Sequence, residues 1–320
     1  MHSAPVLLLA FNRTSTLERV ITRLAETRPE RMYVAADGPR DHTRFPNDAE
    51  QCRRVREMLT ALPWPCTVQT RFLTTNLGLG KAVSGALHWF FEQEPFGIVL
   101  EDDCLPARDF LPFCSELLER YADRPRVMSI RGSRFARPGV PSGPSYSASR
   151  IFDCLGWASW RRAWQLYRFD IADWRQRAGH RPLKQLGGVS AKYWSRRFDE
   201  IARETPPRNW ARQYHLAHFL ADGLSLVPRV NLISHIGGGD GATNCVRGFR
   251  WDDNPSGSLA WPLREPDSLD PDHGLECIEE AWRHGHRPWL SRKFWQFMNR
   301  WQLGSLALRR GGVGRDLDQP

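Results

Sequence analysis

No stretch of this 320-residue chain approaches the roughly 20 consecutive apolar residues that a bilayer-spanning helix needs. The first apolar run, Val6-Leu7-Leu8-Leu9-Ala10-Phe11, lacks the basic leader and small-residue cleavage site of a signal peptide, and Asn12-Arg13 interrupts it. A cytoplasmic protein is expected. The 7 cysteines are odd in number and show no metal-ligand spacing, which argues against a disulfide framework or a zinc site and for free thiols. Neither the GxxxxGK[ST] phosphate loop nor the GxGxxG dinucleotide fingerprint occurs. There is no internal repeat and no extended low-complexity tract.

What is present is a chain long enough for a full core, 41% hydrophobic, with a formal net charge of +9. That charge suits an anionic partner: nucleic acid, an acidic membrane surface or a phosphorylated small molecule. Composition does not choose among them. Nucleic-acid binding would rest on charge alone, with no recognised motif behind it, so no nucleic-acid partner is expected. The 14 tryptophans offer faces that suit sugar rings, although most tryptophans fill cores.

Through residue 131, apolar runs alternate with helical spacing. Val6–Phe11 reads as a strand, and Ser15 as the N-cap of a helix carrying Leu17, Val20, Ile21 and Leu24. Met32–Ala36 is a second strand, Asp48–Leu62 a helix, and Val68–Leu73 a third strand. A helix after Lys81 runs through Leu87 and Phe91. Gly97–Leu100 is a strand without polar alternation, as in a sheet buried on both faces. A helix at Asp109–Tyr121 and a strand at Val127–Ile130 follow. Short connections between such elements imply right-handed βαβ units and an α/β, mostly parallel sheet flanked by helices. Beyond residue 131 the pattern becomes helical and aromatic: Trp157–Phe169, Ala172–Ala178, Ala191–Glu204 and Trp210–Asp222, then a short strand at Leu224–Val227 and a glycine-rich loop at Asn231–Asn244.

The chemistry gathers behind the strands. Gly97–Leu100 ends in Glu101-Asp102-Asp103, three carboxylates that repel one another unless a cation sits among them. Hard Mg²⁺ or Mn²⁺ takes such oxygens and keeps positions open for phosphate. Asn12-Arg13, Asp37 and Asn76 with Lys81 follow the carboxyl ends of other strands. In an open α/β sheet one crevice at those ends receives the ligand. Asn76-Leu77-Gly78-Leu79-Gly80-Lys81 offers glycines and a lysine ahead of a helix, where backbone N–H groups can approach an anion.

The ordered set Val6–Arg13, Ala36-Asp37-Gly38, Asn76–Gly80, Leu100–Asp103, Gly156-Trp157-Ala158-Ser159-Trp160 and Gly223–Leu232 resembles nucleotide-diphospho-sugar glycosyltransferases of the GT-A fold. It is most similar to a bacterial group distantly similar to the N-acetylglucosaminyltransferase I family, over about residues 5–245. The resemblance implies a GT-A (Rossmann-like) fold with a nucleotide-sugar-binding half at 1–135, a helical acceptor-side half at 136–245 and a basic, aromatic-rich extension at 246–320. It implies a UDP-sugar donor, a glycan or lipid-linked acceptor and a hexosyl or N-acetylhexosaminyl transfer. Phe11, Asn12, Arg13, Asp37 and Arg71 would surround the nucleoside. Asn76, Gly78 and Lys81 would lie at the phosphates, Glu101 and Asp102 at ribose or sugar, and Trp157 on the sugar face. Asp103 would hold the metal.

Two departures matter. The resemblance implies an aspartate base after Trp210, where this chain has Ala211, and a histidine where it has Asn244. Candidate bases are then Asp199, Asp222, His235 and Asp240. A catalytically degenerate sugar-nucleotide- or glycan-binding relative is the alternative these departures raise. Finally, Leu290, Phe294, Phe297, Met298 and Trp301 form one apolar helical face among basic residues. Such a helix either packs on its own domain or lies on the inner face of an anionic membrane.

Overall fold

The structure, a computed structural model, describes residues 3–135, 143–179, 188–237 and 254–284, the side chains of 188–190 and 281–284 excepted. Residues 1–279 form one compact unit and 280–320 another. Leu263, within the expected extension at 246–320, joins the main core cluster of the first unit. Asp240, Asn244 and the apolar face at 290–301 lie outside the described residues.

Strands β1 (Val6–Ala10), β2 (Arg31–Ala36), β3 (Thr67–Phe72) and β4 (Phe96–Glu101) are parallel and lie in the order 3-2-1-4. Between them run α1 (Thr14–Thr27), α2 (Asp48–Thr60) and α3 (Gly78–Gln93). The apolar runs are continuous because both sheet faces are covered. Val6, Leu8, Met32 and Val34 point into one core with Leu17, Val20 and Val55. Leu7, Leu9, Tyr33 and Ala35 point into a second with Val83, Leu87 and Phe90. Ser15 is not the cap expected of it. Helix α1 starts at Thr14, with Arg13 in the cap position and no side-chain capping bond.

The second half joins the same sheet. β5 (Cys104–Pro106) and α4 (Phe110–Arg120) follow β4, and then come β6 (Val127–Arg131), β7 (Tyr146–Ser149) and β8 (Trp157–Trp160). Short helices α5 (Arg161–Trp164) and α6 (Trp174–Ala178) precede α7 (Gly188–Ala202) and α8 (Ala211–Leu220). β9 (Leu224–Pro228), β10 (Ile233–His235) and α9 (His273–His284) complete the elements. The sheet order is 3-2-1-4-8-6-9-7, with β8 antiparallel to both β4 and β6, while β10 pairs with β5 outside it.

The helix expected over 157–169 is therefore largely wrong. Trp157 and Trp160 stand three apart as on a helix, but Ala158 and Ser159 between them are also fully buried. Four consecutive inward residues belong to a strand covered on both faces. The apolar faces of α6, α7 and α8 close over one another in a third cluster around Trp174, Trp194 and Phe198. None of the described cysteines forms a disulfide.

Candidate functional site

β2 and β3 lie on one side of β1 and β4 on the other, so the chain reverses direction between β1 and β4. Loops leaving the carboxyl ends of two such strands diverge and leave a crevice. A cleft of about 610 Å³ opens there, a size that suits a small organic ligand. Phe11, Arg13, Asp37, Arg71, Asn76, Gly78, Glu101, Asp102, Asp103 and His235 all line it. Most of the residues singled out in the sequence thus meet in one place.

Asp103 is the hub. Arg13 Nη1 donates to its Oδ2 at 2.6 Å, and His235 Nε2 stands 3.5 Å from the same oxygen. β10 brings His235 in by pairing with Cys104. The backbone at Gly237 presses so close that an added Cβ would fall 2.4 Å from Asp103 Oδ2. Asp102 Oδ2 accepts the Phe11 N–H at 3.1 Å, which ties the β1 loop to β4. Burial pushes Glu101 up to about 8, with the charges of Asp103 and Asp102 adding to it. Burial and then Asp103 push Asp102 up to about 7. Burial acts upward on Asp103 as well, but His235 and then Arg13 outweigh it and hold its pKa below the ordinary value. Three acids beside one guanidinium make this end of the cleft attractive to a cation.

The opposite lip is built differently from the expectation. Asp37 Oδ1 accepts the N–H groups of Gly38 (2.8 Å) and Leu77 (2.9 Å), and Oδ2 accepts that of Gly78 (3.0 Å). Asn76 Nδ2 donates to the Gly38 carbonyl at 2.8 Å. The amides of Leu77 and Gly78 at the start of α3, expected to await a phosphate, are therefore capped by Asp37 from the neighbouring β2 loop. The glycines belong to the first turn of α3 itself, and Lys81 is exposed and off the cleft. Arg71 does line the cleft and lies along α3, where a Cβ on Gly85 would stand 3.1 Å from its Nη2. Arg212 lines the same cavity. Among the described residues, neither side chain has a hydrogen-bond or ion-pair partner.

Other expectations fail for stated reasons. Asn12 turns to the buried Asp48, which it shares with Arg40. Trp157, expected on a sugar face, is 1% exposed and packed against Phe152 and Trp210. Asp199 sits on α7 bound by Arg175 and Trp174, outside the cleft. Asp222 precedes β9, which runs parallel to β6 and hence to β4, so it lies at the amino end of the strands, paired with Arg126. Ala211 does line the cleft, with Asn209 and Trp210. So does Asp153, which the sequence reading missed. It stands just ahead of β8, and residues preceding an antiparallel neighbour of β4 come out at the carboxyl end of β4, a placement hidden while 157–169 reads as a helix.

The donor set allows one test of the expected divalent ion. Among the described residues no three His, Cys, Asp or Glu side chains gather in a metal-holding group. Asp103 Oδ2 and His235 Nε2, 3.5 Å apart, are one oxygen and one nitrogen that stand side by side. That pair fits an ion which takes its remaining positions from phosphate and water, as Mg²⁺ and Mn²⁺ commonly do. Arg13 occupies the same oxygen and competes for it.

The fold and cleft define an α/β protein with a polar crevice at a topological switch point. No family model and no curated protein matches the chain. Among solved structures it is similar to S. aureus TarS 1–349 at 12% identity and a TM-score of 0.38, over 72% of this chain and 59% of that one. It is also similar to a UDP-glucose pyrophosphorylase in complex with UDP-glucose, at 10% identity and a TM-score of 0.35, over 70% and 90% of the two chains. A third is the 4-diphosphocytidyl-2C-methyl-D-erythritol synthase of Anaerococcus prevotii, at 8% identity and a TM-score of 0.30, over 51% and 74%. Likeness at this level says nothing of activity, and function has to be argued from the cleft.

Proposed function

We propose that this protein is a glycosyltransferase that moves a sugar from a UDP-sugar to a hydroxyl of a glycan or lipid-linked acceptor. The observation that carries the reading is the meeting of two unlike sets of groups in one cleft: the carboxylates at 101–103, and the guanidinia of Arg71 and Arg212, which have no partner among the described residues. A nucleotide diphosphate with a bound cation presents the complementary pattern, phosphates for arginine and a cation for carboxylate. Phe11 and the lip tied together by Asp37 and Asn76 would bound the nucleoside. Asp103 and His235 would hold a Mn²⁺ or Mg²⁺ ion, which when bound stabilises negative charge on the departing diphosphate. The resemblance to the N-acetylglucosaminyltransferase I family supports hexosyl or N-acetylhexosaminyl transfer with inversion. Sugar transfer of this kind passes through an oxocarbenium-like transition state and needs a base at the acceptor hydroxyl.

A thermal-shift screen of nucleoside diphosphates and their sugars, with and without Mn²⁺, tests the reading. Stabilisation by UDP or a UDP-sugar, enhanced by Mn²⁺, is expected; no response to any nucleotide contradicts it. Ala211 favours a second reading, a relative that binds the sugar nucleotide without turning it over. That reading expects the same stabilisation with no UDP released. Cytoplasmic residence with contact to the inner membrane face through residues 282–320 is part of the proposal. Among the described residues no helix is long and apolar enough to cross a membrane. Flotation with anionic vesicles, with and without those residues, checks the contact.

A further inference from the structure

We infer that Asp153 is the general base that deprotonates the acceptor hydroxyl, a role Ala211 cannot fill. The inference rests on the glycosyl-transfer reading of the cleft. Among the described residues, five carboxylates line the cavity: Asp37, Glu101, Asp102, Asp103 and Asp153. Three have settled tasks. Asp37 accepts three backbone N–H groups, Asp102 holds the Phe11 loop, and Asp103 is bonded to Arg13 beside His235. Glu101 ends β4 opposite Leu9 of β1, on the donor side.

Asp153 is placed differently. It comes just before β8, and the Ser133 hydroxyl just after β6 donates to its Oδ2. Both strands lie beyond β4, away from the β1–β2 half. Asp153 is 4% exposed, accepts that hydroxyl, and lines the same cavity as Leu155 and as Asn209, Trp210 and Ala211 at the start of α8. A buried, hydrogen-bonded carboxylate that lines the cavity from beyond β4, away from the proposed nucleoside lip, has the placement a base requires.

The step balances simply. The acceptor oxygen forms its bond to the anomeric carbon while the bond from that carbon to the diphosphate oxygen breaks. The electron pair leaves with UDP, and the hydroxyl proton passes to the Asp153 carboxylate. Water in place of the acceptor follows the same course and yields free sugar.

The test uses the full chain with UDP-glucose, UDP-galactose and UDP-N-acetylglucosamine in the presence of Mn²⁺. UDP release to water is measured against pH, and UDP binding by titration calorimetry. Asp153→Asn is expected to bind UDP within about two-fold of the parent, release it roughly 100-fold more slowly, and lose the acid limb of the rate profile. Ser133→Ala, which keeps the carboxylate but removes its hydrogen bond, is expected to move that limb to higher pH and so serves if Asp153→Asn does not fold. Release by Asp153→Asn within three-fold of the parent, or an unmoved limb in Ser133→Ala, overturns the assignment while leaving the donor site standing. A parent protein that binds no UDP, or binds it and releases none, overturns the glycosyl-transfer reading and this assignment with it.

Discussion

Arg13 Nη1 lies 2.6 Å from Asp103 Oδ2, so the last acid of the triplet carries its own counter-ion, supplied by the residue just before α1. Removing one partner of a largely buried pair strands the other's charge, at a cost of about 3 kcal/mol. Arg13→Ala is therefore expected to lower the urea midpoint. It is also expected to gain more thermal stability from Mn²⁺ than the parent does, since no guanidinium then competes for Asp103 Oδ2. Equal Mn²⁺ responses in the two proteins contradict competition at Asp103.

Asp37 serves as a cap delivered from a loop 40 residues before Leu77 and 41 before Gly78. Loss of a helix cap costs about 1 kcal/mol, and here the same carboxylate also tethers the lip of the cleft. Asp37→Ala is expected to lose at least that much stability and to weaken UDP binding. Asp37→Asn keeps one acceptor oxygen and is expected to fall between the two. Chemical denaturation and calorimetry on the three proteins give the order.

His218 is buried on α8, with Nδ1 2.9 Å from the Tyr214 carbonyl and Nε2 3.0 Å from Ser129 Oγ. A carbonyl only accepts, so the neutral ring carries its proton on Nδ1. Burial lowers the pKa of His218 from 6.5 to about 4. The unfolded chain thus binds this proton at a pH where the folded one does not. Stability from this group is full above pH 6.5 and falls as the pH drops towards 4. Between pH 7.5 and 5, the parent's denaturation midpoint should drop further than that of His218→Gln. Parallel profiles would falsify the assignment.

Arg131 and Glu279 form an ion pair with both side chains fully buried, at 2.7 Å, and Glu279 Oε1 also accepts the Phe135 N–H. This pair fastens α9 to the end of β6, outside the cleft. Glu279→Gln is expected to cost about 3 kcal/mol, and the double change Arg131→Met with Glu279→Leu considerably less, because no charge is then stranded. UDP binding should stay unchanged in both. Weakened UDP binding in the double variant would show that the pair reaches the site.

How much was legible in the sequence follows from where the information lay. β1 to β4 and their helices were readable to within a residue or two, apart from the α3 start, since buried parallel strands appear as unbroken apolar runs. Asp37 and the acids at 101–103 were readable because they stand directly behind such runs. The cap from Asp37 to Leu77 and Gly78 was not, being a contact between loops remote in sequence. β8 was hidden by its tryptophans, whose spacing imitates a helix. With β8 misread, Asp153 had no reason to be placed at the carboxyl end of β4. β5 and β10, three residues each, are too short to leave a period, and they decide that His235 meets Asp103.

Calorimetric titration of UDP with Mn²⁺ into the parent protein and into Arg71→Met asks most directly whether this crevice is a nucleotide-diphosphate site. A single site per chain is expected in the parent. Loss of one charge-assisted hydrogen bond should weaken it by roughly 10-fold or more, with the melting temperature of Arg71→Met unchanged. No saturable UDP binding in the parent, or equal affinity in the two proteins, would contradict it.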